Sequence, residues 1–490
     1  MTLSYIPSDT NDEGILKATA SGVLPNGKPV VVNSDGTVSV VEETSVSTAF
    51  GSATVFEAAQ AAHISATYHP TEKKVVVFYE DRGNFDKGTY IVGTVSGTSI
   101  AFGSAALFED ASTSNISSVY DPVSGNIVVT YTDEGNSSYG TAIVGSLSGT
   151  TMSFGTAVVF SSSSTLDKSV TYDTSNSRVV VGYRDNGSSG HGTAVVGTVS
   201  GTSISFGSAT VFSNTGAATV ISAAYDINAS KVVFAYSDSN SPYTGLGTSI
   251  VGTVSGTSIS FGSEVVFDSS GAANHVSAAY DASNGKVVIC YSDTGDAGKG
   301  KAIVGTVSGA SISYGTVVVY ETSETGPQKI VYAPNVGRVV IFFRDHANSL
   351  ERSAIVGTVS GTTITFDTKE NFGTSRSDYF APAYDAESGK VVLAYEDQGN
   401  SIYGTALVMT VGGDVPNLTA ENYIGIASNG YADTQTATIN AKGFVDDNQS
   451  GLTAGQSYYV QTDGTLSTTA GDPEVFAGTA VSANKLIVKG

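Results

Sequence analysis

The chain holds a single cysteine in 490 residues, Cys290, so no intrachain disulfide framework braces it. That cysteine sits in the apolar run KVVICY and reads as a small buried hydrophobe. Basic residues are also scarce. Against 45 Asp and Glu there are 23 Lys and Arg, a formal net charge of −22. Such a surface repels phosphate backbones and anionic lipid, which argues against nucleic-acid and membrane partners. No apolar run reaches spanning length, and residues 1–17, MTLSYIPSDTNDEGILK, lack the basic-then-apolar layout of a secretory signal. The expectation is a soluble chain that is not exported by itself. No HxH, HExxH or paired-cysteine spacing offers a zinc site, and neither a nucleophile elbow nor a phosphate loop is present, so no metal, catalytic residue or cofactor is expected. Coiled-coil heptads that would enforce a trimer are missing, which leaves a homo-oligomer open.

What is present is repetition. IVGTVSGTSIAFGS (91–104) returns as VVGTVSGTSISFGS (195–208) and IVGTVSGTSISFGS (250–263). The underlying pair recurs at Val92, Val144, Val196, Val251, Val304, Val356 and Val408, with spacings of 52, 52, 55, 53, 52 and 52. A period near 50 residues with strand-like content marks propeller blades. Each period offers four short strands, in the fifth copy VSAAYD (276–281), KVVICYSD (286–293), KAIVGTVS (301–308) and ASISYG (310–315), and then an extended TVVVY. Turn residues such as Ser-Asn-Gly (283–285) separate strands one and two, and Ser-Gly separates three and four in six copies. The second strand is apolar at consecutive positions, as in Val75-Val76-Val77-Phe78, which predicts cover on both faces. Only 14% of residues are charged while 40% are apolar and Gly, Ser and Thr abound, a mix that favours strands and tight turns over helices.

The ends of the repeat array are out of phase. TSVSTAFG (44–51) is a fourth strand with nothing before it, and GTALVMTV (404–411) is a third strand with nothing after it. Pairing the two predicts an all-β, seven-bladed propeller over 44–413, closed by an N-terminal strand and without exposed sheet edges. Residues 1–43 and 414–490 echo one another, GKPVVVNSDGTVSV (27–40) lining up with GQSYYVQTDGTLST (455–468), each a strand, an Asp-Gly turn and a strand. These segments are expected to form one small β domain built from both termini.

The stretch YIGIASNGYADTQTATINAKG with SGLTAGQSYYVQTDGTLSTTAGDPEVFAGTAVSANKLIVKG (423–490) resembles a module at the ends of virion proteins of marine tailed phages such as cyanophages. LKATASGVLPNGKPVVVNSDGTVSVV (16–41) is similar to the N-terminal segment that accompanies it. The resemblance covers about a fifth of the chain. It implies a structural virion protein in a tail fibre, tail tip or surface position, with the terminal domain contacting other virion proteins, and it supplies no catalytic residue.

An Asp ends each second strand at Asp81, Asp133, Asp185, Asp238, Asp293, Asp345 and Asp397, followed two residues on by Gly in five copies. Asp-x-Gly suits a carboxylate accepting backbone N–H groups in a turn whose Gly takes positive φ. It resembles the Asp-box turn of sialidase-type propellers, without the Ser or Thr before the Asp in most copies and without the aromatic after it. The alternative is a ring of carboxylates for calcium or glycan hydroxyls. Calcium gathers six to eight oxygens at one point, whereas one Asp per blade spreads them round a circumference, so these are read as structural turns. Lys74, Asn126, Arg178, Lys231, Lys286, Arg338 and Lys390 stud the opposite rim as solvated strand ends, and His63, His191, His275 and His346 map to the Asp rim. Tyrosines that recur in every copy (Tyr68 and Tyr79 and their equivalents) read as packing between blades. Aromatics outside that register, Phe85, Tyr139, Tyr243 and Tyr403 in the loops between strands two and three and Tyr379 and Phe380 ahead of the seventh blade, are the candidate binding residues.

Three functions fit these features. The first is a virion adhesin whose propeller touches a host-surface glycan or protein. The second is an architectural capsid or tail decoration protein without a ligand, and the third a polysaccharide-degrading enzyme. The expectation is the first, a non-enzyme, because no single copy carries an unusual charged cluster.

Overall fold

The structure, a computed structural model, describes residues 14–213, 216–239, 245–347, 351–471 and 473–489. It is all-β, with no α-helix among the described residues. The chain divides into two compact units, Ser47–Gly412 and a second one made from both ends, Met1–Val46 with Gly413–Gly490.

In the larger unit the first repeat shows the pattern that the others follow. Lys74–Asp81 pairs antiparallel with Lys87–Ser96 on one side and with residues 61–69 on the other. Lys87–Ser96 turns back at Gly97 into the four-residue strand Ser99–Phe102. The pairing recurs in seven sets among the described residues. The central strands are apolar on both faces because both faces are covered. Val75 to Tyr79 are 0–1% exposed, as are Val287 to Tyr291. Each such side chain contributes about 1.5–3 kcal/mol relative to remaining in water.

One feature departs from four separate strands. In five places the extended stretch after a short fourth strand runs on into the first strand of the next set, as in the 16-residue strand Thr54–His69. Its early half pairs with the third strand of one set, and its late half with the second strand of the following set. At the change of partner the ladder slips, between Ala62 and Ser65 in the first repeat. A non-glycine residue there takes left-handed backbone: His63 (φ 47°), Asn115 (50°), Asp167 (47°), Val220 (49°) and His275 (53°). The slip is a bulge that turns the strand from one set to the next.

Successive sets are tied by contacts that explain the repeated phrase. In six of the seven sets a Gly follows the fourth strand and lies against the following set. A Cβ on Gly51, Gly155, Gly207, Gly262 or Gly315 would stand 1.7–2.0 Å from a backbone carbonyl oxygen, that of Thr98, Thr202, Thr257, Ala310 or Thr362. The sixth set has Asp367 at this position, bonded to Arg338 Nη1 at 2.7 Å. It is the set whose successor has its third and fourth strands drawn from opposite ends of the array, so no hairpin turn comes close. Deeper in, a belt of serines joins the first strands. Ser65, Ser117, Ser169, Ser222 and Ser277 each accept the backbone N–H of a residue in the next set (Ser118, Val170, Ala223, Ala278, Ile330) at 3.0–3.2 Å.

The seventh set meets the first. Tyr403–Thr410 pairs with Ala49–Phe50 (Met409 opposite Phe50) and with residues 54–60. The His63 and Tyr379 rings are 5.1 Å apart, Tyr68 Oη accepts from Glu387 N–H at 3.2 Å, and Lys73 Nζ lies 2.9 Å from Glu387 Oε1. Phe56, Val75 and Val77 share one apolar cluster with Ala383, Val392 and Val408.

The smaller unit contains two five-stranded sheets. In one, Tyr423–Ala427 and Thr436–Asn440 pair with each other and lie between Ile15–Thr19 on one side and Pro29–Val32 on the other, so both chain ends build a single sheet. The echoed segments take the same form. Pro29–Val32 pairs with Val38–Val40 and Ser457–Val460 with Leu466–Ser467, and in each turn the Asp (Asp35, Asp463) accepts from a Thr N–H at 2.9 Å. Glu43–Val46 pairs with Gly413–Pro416.

Candidate functional site

The Asp series lies at the ends of the second strands and is occupied with backbone bonding. Asp81, Asp185, Asp293, Asp345 and Asp397 accept the N–H two residues on at 2.8–3.0 Å. The expected positive φ at the Gly is not found. The left-handed residue comes two positions later, at Phe85, Ser137, Ser189, Ala297 and Ser401. Glycine is needed for room instead, since a Cβ on Gly83 or Gly135 would lie 2.4 or 2.6 Å from the Cβ of Ala59 or Ala111. The seven carboxylates are not alike. Burial pushes Asp81 and Asp133 above the ordinary carboxylate range. Burial also raises Asp293, Asp345 and Asp397, but bonds from Lys301, Lys369 and Arg352 outweigh it and hold them below that range. Three members are thus already neutralised by protein cations, and no group of three or more potential metal ligands forms among the described residues.

The candidate aromatics scatter. Phe85 is 84% exposed in a left-handed turn position where other sets have Ser or Ala. Tyr139 and Tyr403 are not loop residues: they open third strands, opposite Asp133 and Asp397, and are half-buried. Tyr243 lies outside the described residues. Phe380 opens a strand and is buried, 3% exposed, and Tyr379 packs on His63. Among the described candidates only Tyr379 and Phe380 line a shared pocket, in a place the repeats alone did not reveal.

That place is a pocket of about 180 Å³ lined by residues from all seven repeats. The bulges of six sets deliver His63 and Ile64, Asn115 and Ile116, Asp167 and Lys168, Val220 and Ile221, Val276, and Pro327 to Lys329, and the start of the strand Phe380–Asp385 brings Asp378 to Phe380. At the bulge position the seven copies read His63, Asn115, Asp167, Val220, His275, Pro327 and Tyr379. Two residues on they read Ser in five copies, then Lys329 and Ala381. The signal available in the sequence was this combination of strict frame and variable bulge.

The chemistry of the lining is polar and tightly held. Lys168, 9% exposed, donates to Thr165 O at 3.2 Å, to Thr165 Oγ1 at 3.1 Å and to Thr132 Oγ1. Burial brings its ammonium down to about 7. Asp167, beside it, is raised by burial although the Val220 N–H and Arg184, 3.8 Å away, act against that. Asn115 Oδ1 accepts the Asp167 N–H at 3.3 Å. Burial, with Arg82 and Arg344 as the next causes, depresses His63 and His275 to about 4. His63 Nε2 is 3.5 Å from Glu80 Oε2, but Arg82 claims that carboxylate at 2.7 Å and the imidazole stays neutral. Asp378 is bound by Arg376 and Arg344. Glu396 is pushed to about 7 by burial and by Asp378. Lys329 keeps accessible surface in the pocket although protein surrounds it, and burial lowers its ammonium.

No protein-family model matches the chain, and no curated protein matches it in sequence. Among solved structures it is similar to the BP39L lectin from Burkholderia pseudomallei, with a TM-score of 0.52 and 12% identity over 73% of this chain and 98% of that one. A protein of unknown function from Dyadobacter fermentans follows at a TM-score of 0.43 and 11% identity, covering 81% of this chain and all of the other. The leech intramolecular trans-sialidase gives 0.43 and 8%, over 76% of this chain and 70% of that one. The likeness to the lectin is one of all-β fold alone.

Proposed function

We propose that the seven sets form a closed seven-bladed β-propeller, and that the chain is a non-enzymatic attachment protein of a phage particle, binding a host-surface glycan through the pocket where the blades converge. The contacts between seventh and first sets support closure. The resemblance of residues 16–41 and 423–490 to terminal modules of virion proteins supports the particle, with the smaller unit as the part that meets other virion proteins. The fold likeness to a lectin carries no weight here, since one fold hosts many functions.

The observation that carries binding over pure architecture is the variable bulge. Blades that agree almost residue for residue in frame present His63, Asn115, Asp167, Val220, Pro327 and Tyr379 to a shared pocket, to which the fifth contributes Val276. Packing alone asks for one residue type there, as it does for the serine two positions on. Two measurements test the reading. The purified chain should bind host-envelope polysaccharide without shortening it, and antibody against it should label intact particles. Absence from particles ends the virion reading, and depolymerisation of the polysaccharide ends the non-enzymatic one.

A further inference from the structure

Lys329 is out of place by the logic of the repeats. Its register position is Ser65, Ser117, Ser169, Ser222 and Ser277 in the first five sets, where each hydroxyl accepts an N–H of the next set. In the sixth set the serine would serve residue 382, and that residue is Pro382, which has no N–H to offer. The belt's demand is lifted at one point, and a lysine stands there facing the pocket.

The cations around it are matched. Lys168 has three oxygen acceptors, Arg344 and Arg376 share Asp378, and Arg184 faces Asp167. Lys329 makes no hydrogen bond or ion pair among the described residues, and Asp167 is the one carboxylate that acts on it electrostatically. Next to it the Gln328 side chain, 3% exposed, has a buried Nε2 without an acceptor. The Gln328 amide is engaged with Tyr320 Oη in the core, so the pocket wall itself offers the Lys329 ammonium, a charged donor without a protein acceptor, and an anion is its natural complement. The chain's net charge of −22 keeps anions away elsewhere, which singles out this wall. At about 180 Å³ the pocket exceeds the roughly 30 Å³ share of a water molecule several times over. It is smaller than the roughly 300 Å³ at which drug-sized sites begin.

We infer that the pocket takes a single sugar residue bearing one oxyanion, a carboxylate or a phosphate, with Lys329 as its counter-charge and Asn115 and Asp167 facing its hydroxyls. This rests on the attachment reading and names its ligand class. The test is calorimetric titration of the full chain at low salt with glucuronate, glucose 6-phosphate, glucose, acetate and inorganic phosphate. Glucuronate or glucose 6-phosphate, whichever source of the anion is right, should bind at least tenfold more tightly than glucose and than the bare anions. Lys329→Ser, which restores the residue of the other sets, and Lys329→Gln should each lose about tenfold or more, the scale of one charge-assisted hydrogen bond, with an unchanged thermal midpoint. Equal binding by the variants and the parent overturns the role of Lys329, and equal binding of acetate or phosphate overturns the sugar. If no acidic sugar binds while the chain still holds envelope polysaccharide, this inference falls and the attachment reading stands. If envelope binding is missing as well, both fall.

Discussion

The first five repeats and the last two solve the same joining problem in different ways. In the first five, a serine hydroxyl reaches the backbone of the next set, and the lining residues hang from that belt. The last two give up the serine for Lys329 and Ala381 and hold their neighbours by ion pairs, Arg352 to Asp397 at 2.6 Å from the sixth set to the seventh and Lys73 to Glu387 at 2.9 Å from the seventh to the first. The belt is regular over five sets and gives way where Lys329 and Asp378 join the lining.

The comparison breaks most visibly at the glycine contacts. Gly155→Ala sets a methyl 1.9 Å from Thr202 O, against backbone that has no room to yield. A loss of about 3 kcal/mol or more is expected in urea unfolding, whereas Asp367→Gly in the sixth set should change little beyond its bond to Arg338.

Acid offers the next effect. His63 and His275 are depressed to about 4 from an ordinary 6.5, so the unfolded chain takes up their protons first. Their contribution is complete above pH 6.5 and is lost as pH falls toward 4. Between pH 7.5 and 5 the loss should be about 1–2 kcal/mol per histidine, seen as a falling urea midpoint. The groups facing them are Arg82, Glu80, Lys168 and Glu134 for His63, and Arg344, Lys329, His346 and Asp378 for His275. Glu396, raised to about 7, works in the opposite sense, gaining as pH falls through 7. His63→Gln should therefore flatten the profile more than it shifts the value at pH 7.5.

Smaller again is the belt itself. Ser117→Ala leaves the Val170 N–H without its acceptor and should cost about 1–2 kcal/mol, while Ala381→Ser, in a set that lives without the hydroxyl, should be close to neutral. Smallest is Phe85→Ala. At 84% exposed the ring contributes little to folding, and a change under about 0.5 kcal/mol is expected. Envelope binding by this variant shows whether the outer turns take part alongside the pocket.

The sequence made the frame readable because the frame repeats. Period, strand pairing, the covered second strand and the partnership of residues 49–50 with 409–410 all follow from residues that recur. The pocket was hidden for the converse reason. Its side chains share a register position but no chemistry, and a search for recurring residues finds Asp81 and Tyr79 and passes over His63, Asn115 and Lys329. The Asp-x-Gly turns misled differently. A glycine after a turn carboxylate suggests positive φ, but close approach to Ala59 or Ala111 demands the same residue, and only coordinates separate the two causes. Tyr379 and Phe380 stand out in the sequence only as aromatics ahead of the seventh blade, since nothing in a hydropathy pattern marks the strand start that brings them to the pocket.

The strand pairing of residues 43–46 with 413–416 makes the smaller unit a two-part holder with a single gateway. Everything from 47 to 412 leaves and returns through neighbouring strands, Gly412 N–H even reaching Thr48 Oγ1 at 3.1 Å. Cargo of any length whose own ends emerge as an antiparallel pair suits that gateway. Exchange of the intervening segment by recombination can then replace it in one step while the strands of the holder stay paired.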